Sequence, residues 1–380
     1  MNSILFDLAA TQPDDQGSVH GGGIYAEVVF HKLLELKKNS DVIEVYYFKN
    51  KRLPNEIIET LENAKIKRHE INKLSELQKI LDMGKYNVLY SALPYSMPRD
   101  LDFKATRFVQ TIHGLRPIEQ PSDSQQKFYL NSFTQFKRWV RGVLLRSFTV
   151  KKHIDNFNSL INISNSSIWV VSNHTKSSLL KHLPDANSKK IRVAYSPLME
   201  KHFESELTPP IPEDYFLIIN ANRWIKNSRR GILAVQKFFK KHPDSKTKVI
   251  VLGAKPLPNM LKLDERFIVK GYVSRHDLEC HLKFAKALIY PTLNEGFGYP
   301  PLEAMKYETP VIASDICSVP EVCGSAAIYV NPFSVESIAE GIERLGSHES
   351  MGLKQYTKIK KLQDEMLLWL CNDILSQHKP

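Results

Sequence analysis

Two glutamates, Glu295 and Glu303, stand eight residues apart, with a glycine-containing turn at 296–298 between them. The apolar run Ala287–Tyr290 precedes the pair and predicts a buried strand, and residues 302–305 predict a helix. Backbone N–H groups are unpaired at a helix N-terminus, so a strand, a glycine turn and a helix start together can hold an anion. The two carboxylates can accept hydrogen bonds from hydroxyl groups of the same ligand. The segment therefore indicates a site for a sugar nucleotide.

These glutamates belong to a longer block, which reads P-T-L-N-E-G-F-G-Y-P-P-L-E-A-M over 291–305 and continues with P-V-I-A-S at 310–314 and V-P-E-V at 319–322. The block closely resembles glycosyltransferase family 4, strongly over 215–332 and more weakly over 1–200. The resemblance implies an α/β chain with the GT-B fold, in which two Rossmann-like domains face a central cleft. It also implies a retaining hexosyltransferase that moves a sugar from a nucleotide-sugar donor to a glycan or lipid-linked acceptor. The implied setting is bacterial surface polysaccharide or lipopolysaccharide assembly.

Strand-like apolar runs alternate with helical patterns along the chain, which predicts parallel sheets with helices on both faces. The predicted strands are 4–8, 42–48, 88–91, 107–111 and 168–172 in a first unit, and 215–220, 248–252, 267–269, 287–290, 311–313 and 327–330 in a second. We expect an N-terminal, acceptor-binding domain over 1–196 and a C-terminal, donor-binding domain over 197–352. A helix over 353–380 is expected to cross back to the first domain.

A basic loop follows the first predicted strand of the second domain, at 220–227. The resemblance implies that Arg223 and Lys226 in this loop neutralise the diphosphate of the donor. Cleavage leaves a nucleoside diphosphate with extra negative charge, and fixed cations lower that barrier. Arg229 and Arg230 are close enough in sequence to compete for this role.

The resemblance assigns the other parts of the donor to three segments. Backbone groups near Tyr272 and Val273 are expected to hold the nucleobase. Glu303 is expected to bond the ribose hydroxyls, and Glu295 to lie near the transferred sugar. In the glycine turn 296–298, the N–H groups of Phe297 and Gly298, next to Gly296, are expected to meet sugar hydroxyls or phosphate.

Two features of the first domain point to the same ligand. Three consecutive glycines, Gly21, Gly22 and Gly23, open a predicted helix and permit close approach of the backbone to phosphate or sugar. His113 follows a predicted strand, and the resemblance implies a catalytic or sugar-binding role for it, with Arg116 as a companion.

The residues offer no obvious covalent nucleophile and no metal site. The resemblance implies that the acceptor attacks on the face that the diphosphate leaves, with Glu295, His113, Arg223 and Lys226 as the catalytic set. The D-x-D triplet at 100–102 lacks a strand context, and the histidines form no ligand cluster, so neither a metal nor another cofactor is expected.

Composition narrows the partners and the compartment. The chain has 380 residues, a formal net charge of +11 and four cysteines without metal-ligand spacing. No nucleic-acid module is visible, so the charge favours an anionic membrane surface or a diphosphate-linked acceptor. We expect a cytoplasmic protein with no signal peptide and no apolar run of the roughly 20 residues that span a bilayer. A peripheral position on the inner face of the membrane is compatible with this expectation.

The stretch 133–146 is amphipathic, with aromatic and aliphatic residues on one side and Lys137, Arg138 and Arg141 on another. Such a helix can rest on an anionic bilayer, or it can pack on the sheet of the first domain. Both interpretations stay open on the sequence. So do two alternative functions, a nucleotide-sugar epimerase of the same fold and a catalytically silent glycosyltransferase-like partner protein.

Overall fold

The computed structural model describes residues 2–13, 21–130, 132–199, 203, 205–253, 261–347 and 351–376, apart from the side chain at 138. Residues 19 and 20, which directly precede the three glycines at 21–23, lie outside this part of the chain. The described residues form two compact units. Unit 1 comprises Met1–Leu115, Lys152–Glu200 and Lys360–Pro380, and unit 2 comprises Arg116–Lys151 and Lys201–Ile359.

Thirteen strands and thirteen α-helices lie in the described residues. The strands are β1 Ser3–Asp7, β2 Val42–Phe48, β3 Arg68–Ile71, β4 Val88–Ser91, β5 Arg107–Ile112, β6 Ser166–Val170, β7 Ile191–Val193, β8 Tyr215–Ile218, β9 Lys248–Val251, β10 Phe267–Val269, β11 Ala287–Tyr290, β12 Val311–Ser314 and β13 Ala327–Val330. The helices are α1 Gly21–Leu36, α2 Asn55–Asn63, α3 Leu77–Leu81, α4 Arg116–Glu119, α5 Phe133–Leu144, α6 Arg146–Ile161, α7 Asn173–His182, α8 Ser228–Lys241, α9 Arg275–Lys283, α10 Tyr299–Met305, α11 Val319–Cys323, α12 Val335–Glu343 and α13 Gly352–Leu375.

Unit 1 is built on a seven-stranded sheet in the order β3-β2-β1-β4-β5-β6-β7, and every pair is parallel. Strands buried on both faces are apolar over most of their length, as β1 is at residues 4–6 and β4 at residues 88–90. The strand order reverses between β1 and β4. Ligands of such sheets bind beyond the carboxyl ends of the strands at this reversal.

Unit 2 repeats this plan with a six-stranded parallel sheet in the order β10-β9-β8-β11-β12-β13. Its core packs α8 and α12 on one face, and Gly341 of α12 lies so close to Val330 that an added Cβ would come within 2.5 Å of its side chain. The order reverses between β8 and β11, so the loops after these two strands share the position where a ligand is expected.

Two parts of the chain differ from the sequence prediction. Residues 116–151, expected in the first domain, belong to unit 2. The edge strands β3 and β7 were not predicted, because both are partly exposed and carry charged residues. The C-terminal helix predicted over 353–380 is α13, and its residues from Lys360 onward belong to unit 1, where Asp373 accepts hydrogen bonds from Arg107 and, at 2.9 Å, from Trp169 Nε1.

Candidate active site

The loop after β8 is fixed to the loop after β11 by Asn227. This residue adopts a left-handed conformation, with φ of 59°, and is buried. Its side-chain amide donates to the carbonyl oxygens of Pro291, at 2.8 Å, and Pro332, at 2.7 Å, while its Oδ1 accepts from Arg230. Sequence reasoning missed Asn227, because its partners are distant in sequence.

A buried ion pair, Lys226 with Glu295, lies between these two loops. Lys226 Nζ also donates to the Tyr290 hydroxyl, at 2.7 Å. The Glu295 Oε1 atom accepts from Lys226, from the Tyr290 hydroxyl and, at 3.0 Å, from the Thr292 hydroxyl. Burial by itself would raise the pKa of Glu295, but the ammonium and the hydrogen bonds hold that pKa below its usual value. Glu295 is therefore a fixed negative charge.

Further positive charge surrounds this pair. Burial lowers the pKa of Lys226; Glu295 opposes the shift, whereas the neighbouring charges of Arg223 and Arg116 reinforce it. Lys226 is enclosed, while Arg223 is exposed to solvent. The structure therefore brings the predicted Arg223, Lys226 and Glu295 into one cluster and adds Arg116, which the sequence had associated with His113.

Two neighbouring arginines on α8, Arg229 and Arg230, contact residues 123–129. Arg230 forms an ion pair with Asp123 through both guanidinium nitrogens, at 3.0 and 3.2 Å, and both side chains are buried. The Arg229 guanidinium lies 3.8 Å from the centre of the Phe128 ring and also bonds Gln125. These contacts give Arg229 and Arg230 structural partners, whereas Arg223 is exposed to solvent.

Ser318 binds the backbone of the glycine turn 296–298 and of the residue before it. Its hydroxyl lies 3.0 Å from the carbonyl oxygen of Glu295 and 2.8 Å from that of Phe297, whose ring is buried. Gly298 is the N-cap residue of α10. Its φ of 110° is a backbone conformation that residues other than glycine rarely adopt. Gly296 lies between these fixed points.

Glu303, on α10, lies in a second charged network. Arg275 Nη1 is 2.6 Å from Glu303 Oε1, and the same guanidinium pairs with Glu279. Burial raises the pKa of Glu303, and Arg275 offsets only part of that rise. Arg275 stands at the start of α9, directly after the predicted nucleobase loop, and its acidic partner 28 residues later gave no local sequence signal.

The predicted nucleobase loop, between β10 and α9, is accessible. Tyr272 is 68% exposed, and its hydroxyl donates to Asn222 Oδ1 at 3.1 Å. Val273 is half-buried. The bond to Asn222 ties this loop to the loop after β8, so both flank one edge of the sheet.

The remaining predicted residues lie in unit 1. Gly22 and Gly23 form the first turn of α1, and a Cβ added to Gly22 would come within 2.6 Å of Leu93. His113 Nε2 is 3.0 Å from the carbonyl oxygen of Ala92, so this nitrogen carries the hydrogen. Burial lowers the pKa of His113 to about 4, which makes it a neutral imidazole at physiological pH.

Parts of the chain are similar in sequence to known proteins. The family described as glycosyl transferases group 1 matches residues 202–362. The O-antigen chain mannosyltransferase RfbU of Salmonella typhimurium is 31% identical over 243 residues, which cover 62% of this chain and 60% of that protein. O-antigen chain mannosyltransferase B of Escherichia coli is 42% identical over 72 residues, 19% of each chain.

Among solved structures, a glycosyltransferase from Rickettsia africae superposes with a TM-score of 0.63 at 17% identity, covering 99% of both chains. The GT-B fold predicted from the sequence is thereby confirmed. In the described residues, no helix is both long enough and apolar enough to cross a membrane.

Proposed function

We propose that this chain, whose residues 202–362 match the family described as glycosyl transferases group 1, moves a mannosyl residue from a nucleotide-sugar donor to a glycan or lipid-linked acceptor. The names of its relatives support mannose as the sugar and O-antigen or related surface polysaccharide as the product. The enzyme acts in the cytoplasm, at the membrane where a lipid-linked acceptor resides.

The observation that carries this proposal is the buried Lys226–Glu295 pair with Arg223 exposed beside it. Burying two charges costs several kcal/mol per ion before their attraction is counted. Perturbed charge pairs of this kind concentrate where chemistry needs a fixed electrostatic field. Here the cations neutralise the diphosphate, and Glu295 faces the sugar that becomes positively charged as its bond to phosphate breaks.

Transfer proceeds with retention of configuration. The bond from the anomeric carbon to the diphosphate oxygen breaks, and a bond to the acceptor oxygen forms on the same face. The acceptor's proton moves to the departing diphosphate. No protein nucleophile is required, so positioning and electrostatic stabilisation carry the catalysis, and no divalent metal is needed.

Other residues bind rather than react. Glu303, oriented by Arg275, accepts hydrogen bonds from the ribose hydroxyls. Backbone groups at Tyr272 and Val273 hold the base, and the turn 296–298 meets the sugar and phosphate. In unit 1, neutral His113 offers its free Nδ1 as an acceptor for a sugar hydroxyl, while Gly22 and Gly23 let the backbone approach the donor.

The test is a panel of mannose and glucose donors carrying GDP, UDP, dTDP or ADP, assayed in EDTA by thermal shift and by transfer of radiolabelled sugar. We expect one nucleoside diphosphate to stabilise the protein by about 2.7 kcal/mol at a hundred times its Kd. Its mannose derivative should donate the sugar without metal. Dependence on added magnesium, a product epimerised at the sugar without transfer, or no nucleotide binding at all would contradict the proposal.

A further inference from the structure

One face of α5 and the start of α6, residues 133–152, carries large apolar side chains that are open to solvent. Phe133 is 70% exposed, Leu144 76% and Phe148 65%. Phe133, Val140 and Leu144 share one side of α5, since they are spaced by whole helical turns. Lys137 and Arg141, which the sequence pattern placed on another side of the helix, line with them a groove of about 410 Å³. We call residues 133–152 the basic–apolar face.

The charge around this face has a single sign. From residue 124 to residue 154 the chain has no aspartate and no glutamate. The same stretch carries seven basic residues, Lys127, Lys137, Arg138, Arg141, Arg146, Lys151 and Lys152. These seven basic residues, with no acidic residue among them, account for most of the chain's net charge of +11. A surface of this kind is complementary to an anionic plane, whereas an acidic protein pocket would not account for the long apolar stripe.

The segment that leads into this face is attached to the donor-binding loops of unit 2. Asp123 pairs with buried Arg230, and the Tyr129 hydroxyl bonds the Ser228 hydroxyl at 2.9 Å, two residues after Lys226. Glu119 accepts a hydrogen bond of 2.7 Å from Asn294, which directly precedes Glu295. The basic–apolar face is therefore tied to the same loops that form the candidate active site.

We propose that the basic–apolar face binds the anionic surface of a lipid bilayer and holds the donor-binding loops at the membrane, where a lipid-linked acceptor lies. The role of a lipid-linked acceptor in this inference rests on the proposed function, whereas the binding of the face to the bilayer does not. Apolar side chains enter the headgroup region, and the flanking lysines and arginines meet lipid phosphates. Each basic residue near an anionic surface strengthens binding about fivefold at low salt.

The experiment measures co-sedimentation of the full chain with vesicles of phosphatidylglycerol and phosphatidylcholine, and with vesicles of phosphatidylcholine alone, at 0.05 and 0.5 M salt. We expect binding to the anionic vesicles that weakens steeply with salt. The double variant Lys137→Glu/Arg141→Glu should bind at least about 25-fold more weakly. The matched control Lys354→Glu/Lys358→Glu makes the same charge change at exposed positions of α13 and should bind like the wild type.

The apolar contribution is tested by Leu144→Ser/Phe148→Ser, which should bind several-fold more weakly with unchanged salt dependence. Nucleotide-induced thermal shift and transfer to a water-soluble acceptor separate this inference from the proposed function, because neither needs the membrane. Both should persist in all these variants, while transfer to an acceptor embedded in anionic vesicles falls with vesicle binding. Equal binding to neutral vesicles, self-association through this face without vesicle binding, or wild-type binding by the charge-reversal variant would overturn the inference.

Discussion

Lys226 and Glu295 act as a unit, because each compensates the other's buried charge. A change at one therefore alters the environment of the other, and their effects on rate will not add. The sequence resemblance assigned the lysine to the diphosphate and the glutamate to the sugar. Because the two side chains form an ion pair, the residue assigned to the diphosphate contacts the residue assigned to the sugar.

Glu295→Gln should lower single-turnover transfer by two to three orders of magnitude, because it removes the negative charge that stabilises a positively charged sugar. Binding of the bare nucleoside diphosphate should persist or strengthen, since Lys226 loses its competing partner. Calorimetry and rapid-quench kinetics measure the two effects. Glu303→Ala is the comparison, and it should weaken binding of both donor and bare nucleotide through the ribose. Normal transfer by Glu295→Gln, or equal loss of nucleotide binding in both variants, would refute this division of roles.

Lys226→Ala should weaken nucleoside diphosphate binding and slow transfer together, because in the proposed function the ammonium contacts both the donor and the leaving group. The control is Arg229→Ala, the loss of a cation three residues away that packs on Phe128. It should lower thermal stability and leave nucleotide affinity nearly unchanged. If the effects are reversed, Arg229 rather than Lys226 holds the diphosphate.

The sequence predicted Arg223 and Lys226 from one short loop and Glu295 and Glu303 from another segment, because each pair lies within a contiguous motif. It could not identify Asn227, Arg275 or Ser318 as supports of the site. Asn227 bonds carbonyl groups 64 and 105 residues further along the chain, and Ser318 holds carbonyls 23 and 21 residues before it. Such contacts depend on which strands are neighbours, and no local pattern reports that.

At the level of elements, the site depends on two loops that leave adjacent strands, β8 and β11, where the strand order reverses. All six strands of unit 2 were predicted from continuous apolar runs, which buried parallel strands require. The edge strands β3 and β7 of unit 1 lack that signal, because charged residues interrupt them, Arg68 and Glu70 in β3 and Arg192 in β7. The positions of the loops therefore followed from the sequence, while their internal bonding did not.

Gly298→Ala should test how far the turn geometry matters. At φ of 110° an alanine is strained by about 1–3 kcal/mol, although nothing lies within 4 Å of the added carbon. We expect a lower Tm and a loss of transfer rate, because a shift of about 1 Å in a positioning loop can cost a hundredfold. Gly271→Ala is the matched control, since that site is equally open and its φ is not positive. Similar losses in both variants would mean that backbone strain is not the cause.

At the scale of the whole molecule, the chain passes between the two units more often than a single linker requires. It enters unit 2 at Arg116, returns to unit 1 at Lys152, leaves it again after Glu200 and re-enters it at Lys360. The sequence prediction of one boundary near 196 recognised the change from one sheet to the next. It could not recognise residues 116–151 as part of unit 2, because their attachment rests on side-chain pairs such as Asp123 with Arg230.

After the chain re-enters unit 1 at Lys360, α13 ends in a buried polar cluster around Asp373. This cluster allows a test of what stabilises the C-terminal segment. Asp373 accepts from Arg107, at 3.0 Å, and from Trp169, and its side chain is only 2% exposed. Removing one partner of a buried ion pair typically costs about 3 kcal/mol or more. Asp373→Asn should therefore lower the Tm of unit 1 by roughly 6–12 °C, at about 2–4 °C per kcal/mol.

Asp364→Asn is the matched control on the same helix, because Asp364 pairs with Lys360 while its side chain is 55% exposed. Its stability should change by no more than about 0.5 kcal/mol. Except for Gly22 and Gly23, the residues proposed to bind the donor lie in unit 2, so nucleotide affinity at 20 °C should be preserved in both variants. Differential scanning calorimetry with and without nucleotide separates the two units' responses. An Asp373→Asn protein that melts like the wild type would show that apolar packing of α13, rather than this charge cluster, fixes the C-terminal segment in unit 1.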